Sequence, residues 1–250
     1  MSGLWLKFLA LLSMMVDHTG MALFPQIQSL RLVGRLAFPL YGFLLAEGAA
    51  HTENSNRYLG RLLLFALLSE VPFDLACRNV FVYPQAQNVF FTLFLGLAAC
   101  EILKRFMQSK PVWSFAGIAV LALLAEGIQA DYGAFGVMTV VAFFVCRIYP
   151  SRGTALFTVM NTGFSLLNHT MLQLAAPAAA VPILLYNGQR GRPVNRYVFY
   201  LFYPAHLLLL YLLRQWFIGD AEKEIACYVQ FLHKMETLVG RCCVLSAERI

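Results

Sequence analysis

Apolar runs close to 20 residues long alternate with short polar breaks along almost the whole chain. A run of about 20 apolar residues crosses about 30 Å of hydrocarbon as an α-helix, so each run predicts a spanning helix. The runs cover about 4–24, 32–50, 60–76, 88–106, 112–130, 133–149 and 197–218. Between 154 and 186 lies a longer stretch, interrupted by Asn168-His169-Thr170. Its flanks decide how to read it. Arg147 and Arg152 precede it and Arg190, Arg192 and Arg196 follow it, and basic flanks mark cytoplasmic loops. An even number of crossings then lies between them, which makes two short spans with a turn at Asn168-His169.

The prediction is an all-α, polytopic integral membrane helical bundle of about nine transmembrane helices (range eight to ten), with a cytoplasmic N-terminus. Residues 1–218 form the transmembrane domain, and the charged but partly apolar tail, 219–250, reads as an interfacial helix. The first run has an acid in its apolar region and no small-x-small cleavage site, so it is expected to stay as a spanning helix.

Composition agrees. Of 250 residues, 60% are hydrophobic and 13% charged, about half the charge of a soluble domain. The net charge of +6 raises the question of nucleic acid. The basic residues, however, sit in short loops, where they act as topology signals. With the N-terminus inside, Lys7, Arg57, Arg61, Lys104, Arg105, Lys110, Arg147, Arg152, Arg190, Arg192 and Arg196 fall on the cytoplasmic side. Only Arg31, Arg35 and Arg78 fall on the other. No nucleic-acid partner is expected; the lipid bilayer of the cell membrane is. The six cysteines show no C-x-x-C pair and no ligand spacing with histidine, so neither a metal nor a disulfide framework is assigned.

Against this background the intramembrane polar residues stand out. Asp17 and His18 lie side by side in the first run, where an acid costs about 2.5–3.5 kcal/mol on insertion scales. The topology puts Arg31 and Arg35, Glu70 and Asp74, and Asn88 and Thr92 near the same outer level. Each of these is an i,i+4 pair on one helix face. His206 falls close to mid-depth on the last span, and Pro39, Pro72 and Pro204 are expected to open their helices locally. Glu47, Glu101 and Glu126, near segment ends, read as structural charges.

A histidine beside a carboxylate has the layout of a general base. Adjacent helical residues point about 100° apart, which leaves Asp17 free to hold Arg35 instead of orienting His18. No G-x-S-x-G elbow, H-E-x-x-H helix or P-loop is present, so hydrolase, metalloprotease and NTPase readings lose their usual support. A base and an arginine within the membrane suit acyl transfer or proton-coupled transport. Against transport, the chain shows no inverted repeat and no paired broken helices.

Three motifs carry a resemblance: Met15-Val16-Asp17-His18, Gly34-Arg35-Leu36-Ala37-Phe38-Pro39-Leu40 and Phe202-Tyr203-Pro204-Ala205-His206-Leu207. In this order the set resembles the TraX family of membrane acetylases, whose founding member N-acetylates the conjugative F pilin. The resemblance implies an acetyltransferase with acetyl-CoA as co-substrate. It maps His18 to the base, Asp17 and Arg35 to its motif partners, and His206 to a second catalytic position. Arg31, Glu70, Asp74, Asn88, Thr92 and Tyr203 are the expected cavity residues. The acceptor it implies is the N-terminal amine of a pilin-like protein. A cell-envelope glycan hydroxyl is the alternative, and direct transfer and an acetyl-histidine intermediate both remain open.

Overall fold

Leu6, Ala10, Ser13, Asp17 and Gly20 repeat every three to four residues and form one buried stripe of the first helix. The structure, a computed structural model, describes residues 1–217. Met1–Leu210 make one compact unit, and the residues from Tyr211 on are assigned to a second. The tail over 219–250, read from sequence as an interfacial helix, lies outside the described residues.

The described chain is all-helical: α1 (Gly3–Ala22), α2 (Gln28–Gly34), α3 (Ala37–His51), α4 (Ser55–Arg78), α5 (Val89–Phe106), α6 (Pro111–Gly127), α7 (Gly133–Val145) and α8 (Pro150–Leu167). A 3-10 segment, Met171–Ala179, then leads into α9 (Ala180–Leu184), and α10 spans Arg196–Phe217. Local chemistry sets these limits. The Asn54 side chain accepts the Arg57 N–H to start α4, and Asn79 ends it in the left-handed region. Asn88 caps α5 through the Phe90 N–H at 3.1 Å. Prolines at the first positions of α6 and α8 lack only a donor that would have had no partner there.

The predicted second span stands as one helical stretch, Gln28–His51, with a turn at Arg35-Leu36 in the span that Pro39 was expected to open. Pro39 has no N–H to give the Arg35 carbonyl, so the helix cannot run through on regular i to i−4 bonds. Pro72 and Pro204, by contrast, do not open their helices: α4 and α10 run unbroken through them. The second limb of the predicted 154–186 hairpin is mostly 3-10 rather than a regular span, with Pro177 inside it. The turn itself lies where the sequence placed it, with His169 at φ 53°. Asn161 and Gln173 clamp the two limbs: the Asn161 amide donates to the Gln173 carbonyl at 2.9 Å, and the Gln173 amide returns a bond at 3.1 Å.

Among the described residues two helical stretches are long and apolar enough to cross a membrane, Gln28–His51 and Arg196–Phe217. Pro111–Gly127, Gly133–Val145 and Met171–Leu184 are apolar but shorter. The count of nine spans is therefore not met by length and hydropathy. Packing separates the two kinds of side chain. Large apolar side chains face outward, including Trp5, Leu12, Leu67, Trp113, Leu123 and Ile148, while Asp74, Asn88, Thr92, Asn161 and His206 are buried. The aromatic core, Phe43 against Phe143 and Phe143 against Phe157, ties α3, α7 and α8 together.

The loops gather at two ends. At one, Gln87 bridges to the turn after α6, with the Gln87 N–H on the Gln129 carbonyl and the Asp131 N–H on the Gln87 carbonyl, both at 2.9 Å. At the other, the Gly3 and Leu4 N–H groups donate to the Gln189 and Arg190 carbonyls at 2.8 and 3.1 Å. Helix α10 runs parallel to α1. Phe199 lies beside Phe8, and further along His206 lies beside His18.

Candidate functional site

Helices α1 and α2 approach so closely at Asp17 that no side chain fits opposite it. A Cβ on Gly34 would sit 2.2 Å from the Asp17 Cβ. The Ser13 hydroxyl donates to the Val33 carbonyl on the same seam. This approach brings Arg31 of α2 and Arg35 at its C-terminal end onto one carboxylate. Arg35 Nη2 donates to Asp17 Oδ1 at 2.8 Å and to Oδ2 at 2.7 Å, and Arg31 Nε donates to Oδ1 at 2.8 Å. The carboxylate is mostly buried, 12% exposed, so these bonds stand in for its hydration. Asp17 holds arginines. It makes no hydrogen bond to His18.

The histidine's partner comes from the other end of the sequence. His18 Nδ1 lies 2.7 Å from His206 Nε2, a separation of 188 residues. His206 Nδ1 lies 2.7 Å from the Phe202 carbonyl. A carbonyl only accepts, so His206 Nδ1 carries the proton. With both rings neutral, His206 Nε2 must then accept, His18 Nδ1–H donates, and the lone pair of His18 falls on Nε2. Tyr203 meets both rings edge-on, at centroid distances of 5.8 Å to His18 and 5.7 Å to His206. Its hydroxyl points at the Val89 N–H, at the start of α5.

The remaining sequence-predicted residues form an adjoining layer. Asn88, fully buried, donates to the Ala66 carbonyl at 2.8 Å and also to Glu70. The Asp74 Oδ2 accepts the Tyr83 N–H at 2.7 Å. Arg31 and Arg35 go to Asp17 and not to these acids, and Glu70 Oε1 and Asp74 Oδ1 are buried without hydrogen-bond partners. Thr92 donates to the Asp131 carbonyl. Asp131 also interacts electrostatically with Arg35, and neighbouring Tyr132 stacks on Phe38 at 3.9 Å. Among the described residues, no group of three or more His, Cys, Asp or Glu side chains could hold a metal ion.

The ordered motifs thus meet in space, and the known proteins resembling the chain can be set beside that geometry. The family model described as TraX protein matches residues 2–214. The chain belongs to the TraX family. A relative in Dichelobacter nodosus, named "Probable fimbrial assembly protein FimC, serogroup H1", is 30% identical over 235 residues, covering 84% of this chain and 94% of its own. An uncharacterised protein of Rickettsia prowazekii (strain Madrid E) is 20% identical over 144 residues, 57% of this chain and 54% of its own. No solved structure matches the chain. The TraX match takes in all three motifs, from Asp17 to His206.

Sequence reasoning overlooked Gly34 and Asp131 as site residues. Gly34 stood in the second motif, and its value lies in the side chain it lacks. Asp131 gave no signal beyond being an acid at the end of an apolar run.

Proposed function

We propose that this TraX protein is a multi-pass membrane acetyltransferase that moves an acetyl group from acetyl-CoA to an amine at the cell envelope, with His18 as the base. The observation that carries the reading is the His18–His206 pair. It fixes the tautomer of a half-buried imidazole so that Nε2 keeps its lone pair, on a ring that feels the charges of Arg31 and Arg35. The outward-facing apolar side chains support the membrane setting, and the helices too short to span alone cross as part of the bundle.

In this reading His18 Nε2 takes the proton that the amine loses as its nitrogen attacks the thioester carbonyl. His206 steadies the resulting imidazolium by accepting from Nδ1–H. Arg31 and Arg35 carry two positive charges against the single charge of Asp17, and the excess favours the oxyanion that forms as the C–N bond closes. When the C–S bond breaks, His18 returns the proton to the departing thiolate. An N-terminal amine, with an unperturbed pKa of about 8, reaches its nucleophilic form more readily than a glycan hydroxyl. The fimbrial name of the Dichelobacter relative points to a pilin-like acceptor.

The test is mass spectrometry of membrane proteins and envelope polymers from a strain lacking the gene, complemented with wild type or with His18→Ala. An N-terminal acetyl group on a pilin-like protein is expected to vanish on deletion and to return only with wild type. Loss confined to a glycan would move the acceptor to a hydroxyl. No acetyl difference anywhere would overturn the reading.

A further inference from the structure

At the end of the bundle away from Asp17, four separate elements bring cations together. Lys7 of α1 holds Nζ 5.4 Å from the Phe199 ring centroid and stands beside Arg190 of the loop after α9. Arg61 of α4 lies 5.4 Å from the Tyr58 ring and donates to the Tyr200 hydroxyl. Arg196, the first residue of α10, faces the same Tyr200, and the Tyr58 hydroxyl faces both Arg61 and Arg190. Among the described residues the cluster has no counter-ion. Ion pairs among the described residues engage Asp17 and Glu101, and none of these four cations takes part. Glu47 shares the Tyr186 neighbourhood with Arg190 but forms no ion pair with it. Arg61 Nε is buried without a hydrogen-bond partner. Like charges drawn together with an unused donor among them are arranged for an anion with several oxygens.

The distance to the histidine pair narrows the choice of anion. Lys7 and His18 are eleven residues apart on α1, about 16 Å along the axis and about 20° apart around it, so they share a face. On α10, Phe199 touches Lys7 and His206 touches His18. One seam between α1 and α10 therefore runs from the cation cluster to the His18–His206 pair. In an acyl-CoA, an extended pantetheine arm separates the phosphates from the thioester in the same way.

We propose that Lys7, Arg61, Arg190 and Arg196, with Tyr58 and Tyr200, bind the phosphates of the acyl donor and set the length of arm that reaches His18. The proposal rests on the acetyltransferase reading. Anionic lipid headgroups carry the same phosphate chemistry, so the test separates the two sources.

The protein is placed in nanodiscs of phosphatidylcholine alone, and adenosine 3′,5′-bisphosphate binding and acetyl-CoA kinetics are measured for wild type, Arg61→Gln and Arg190→Gln. Arg152→Gln, a change of a cation stacked on Tyr149 outside the cluster, is the control. Each cluster variant is expected to weaken the bisphosphate and raise KM for acetyl-CoA by about tenfold or more, the loss of one charge-assisted phosphate contact, with kcat little changed. Arg61→Lys is expected to recover part of the binding, which separates lost charge from lost fold. Unchanged KM in both cluster variants, with wild type still turning over, would overturn the phosphate site and leave the acetyltransferase reading intact. Phosphatidylglycerol retained by wild type and lost from Arg61→Gln, with bisphosphate binding unaffected, would assign the cluster to lipid and overturn the proposal. Wild type that does not bind acetyl-CoA at all would bring down the functional reading, and this one with it.

Discussion

Arg35 Nη2 reaches both oxygens of Asp17, at 2.8 and 2.7 Å, and this contact holds the most costly charge of α1 beside His18 in sequence without a hydrogen bond between them. Removing one partner leaves the other charge buried and unpaired. Asp17→Ala is expected to destabilise the fold by about 3–5 kcal/mol, read as a lower unfolding midpoint in detergent or as loss of the purified protein. Arg35→Met with Asp17→Leu together should cost less than the sum of the single changes, because the pair is then removed as a unit.

Gly34→Ala tests the helix crossing that makes this contact possible. A Cβ there would meet Asp17 atoms at 2.2–2.4 Å, so α2 must shift and the arginines with it, at a cost of about 1–3 kcal/mol or more. Gly60, inside α4, has nothing within 4 Å of a Cβ position. Gly60→Ala should instead stabilise by about 0.5–1 kcal/mol. Parallel thermal unfolding of the two variants checks the contrast.

In the proposed reaction His206 is a positioning residue for His18. His206→Leu removes the acceptor for His18 Nδ1–H and frees the ring to adopt the other tautomer. A fall in kcat of about 10²-fold is expected, along with a changed pH–rate profile. His206→Gln can keep a carbonyl oxygen near the Nε2 position and should recover much of the loss. If Leu and Gln lose activity equally with an unaltered profile, His206 is only a packing residue.

Asn88 joins α4 to the start of α5 in the layer behind the site. Its amide serves the Phe90 N–H, the Ala66 carbonyl and Glu70. Asn88→Ala is expected to cost about 2–4 kcal/mol, a lost cap plus buried groups left unpaired, measurable by chemical unfolding. Asn88→Asp keeps the cap but sets a second carboxylate against Glu70, and is expected to be no better.

These residues show how far a sequence can be read. Helix positions followed from the apolar runs, because burial against lipid or neighbouring helices demands continuous hydrophobic stretches. The pairing of Asp17 with Arg35 was legible for a related reason: an intramembrane acid needs a cation at its own depth, and topology left few. The contact of His18 with His206 was not legible, since nothing in local spacing reports a partner 188 residues away. The motif order put both histidines in one site without saying that they touch. The turn at Arg35-Leu36 was legible only through the missing N–H of Pro39, because apolar periodicity runs straight through it. Glu70 and Asp74 looked like partners for arginine at their depth; the Gly34 crossing commits those arginines to Asp17 instead.

The most direct measurement of the central claim is turnover of labelled acetyl-CoA by the purified, reconstituted protein, wild type against His18→Ala, with a peptide bearing a free N-terminal amine as acceptor. The account predicts label on the peptide with wild type and a loss of about 10²–10⁴-fold in kcat with His18→Ala, with acetyl-CoA still bound. Wild type that neither binds nor consumes acetyl-CoA would contradict the acyltransferase reading, and full turnover by His18→Ala would contradict the assignment of the base.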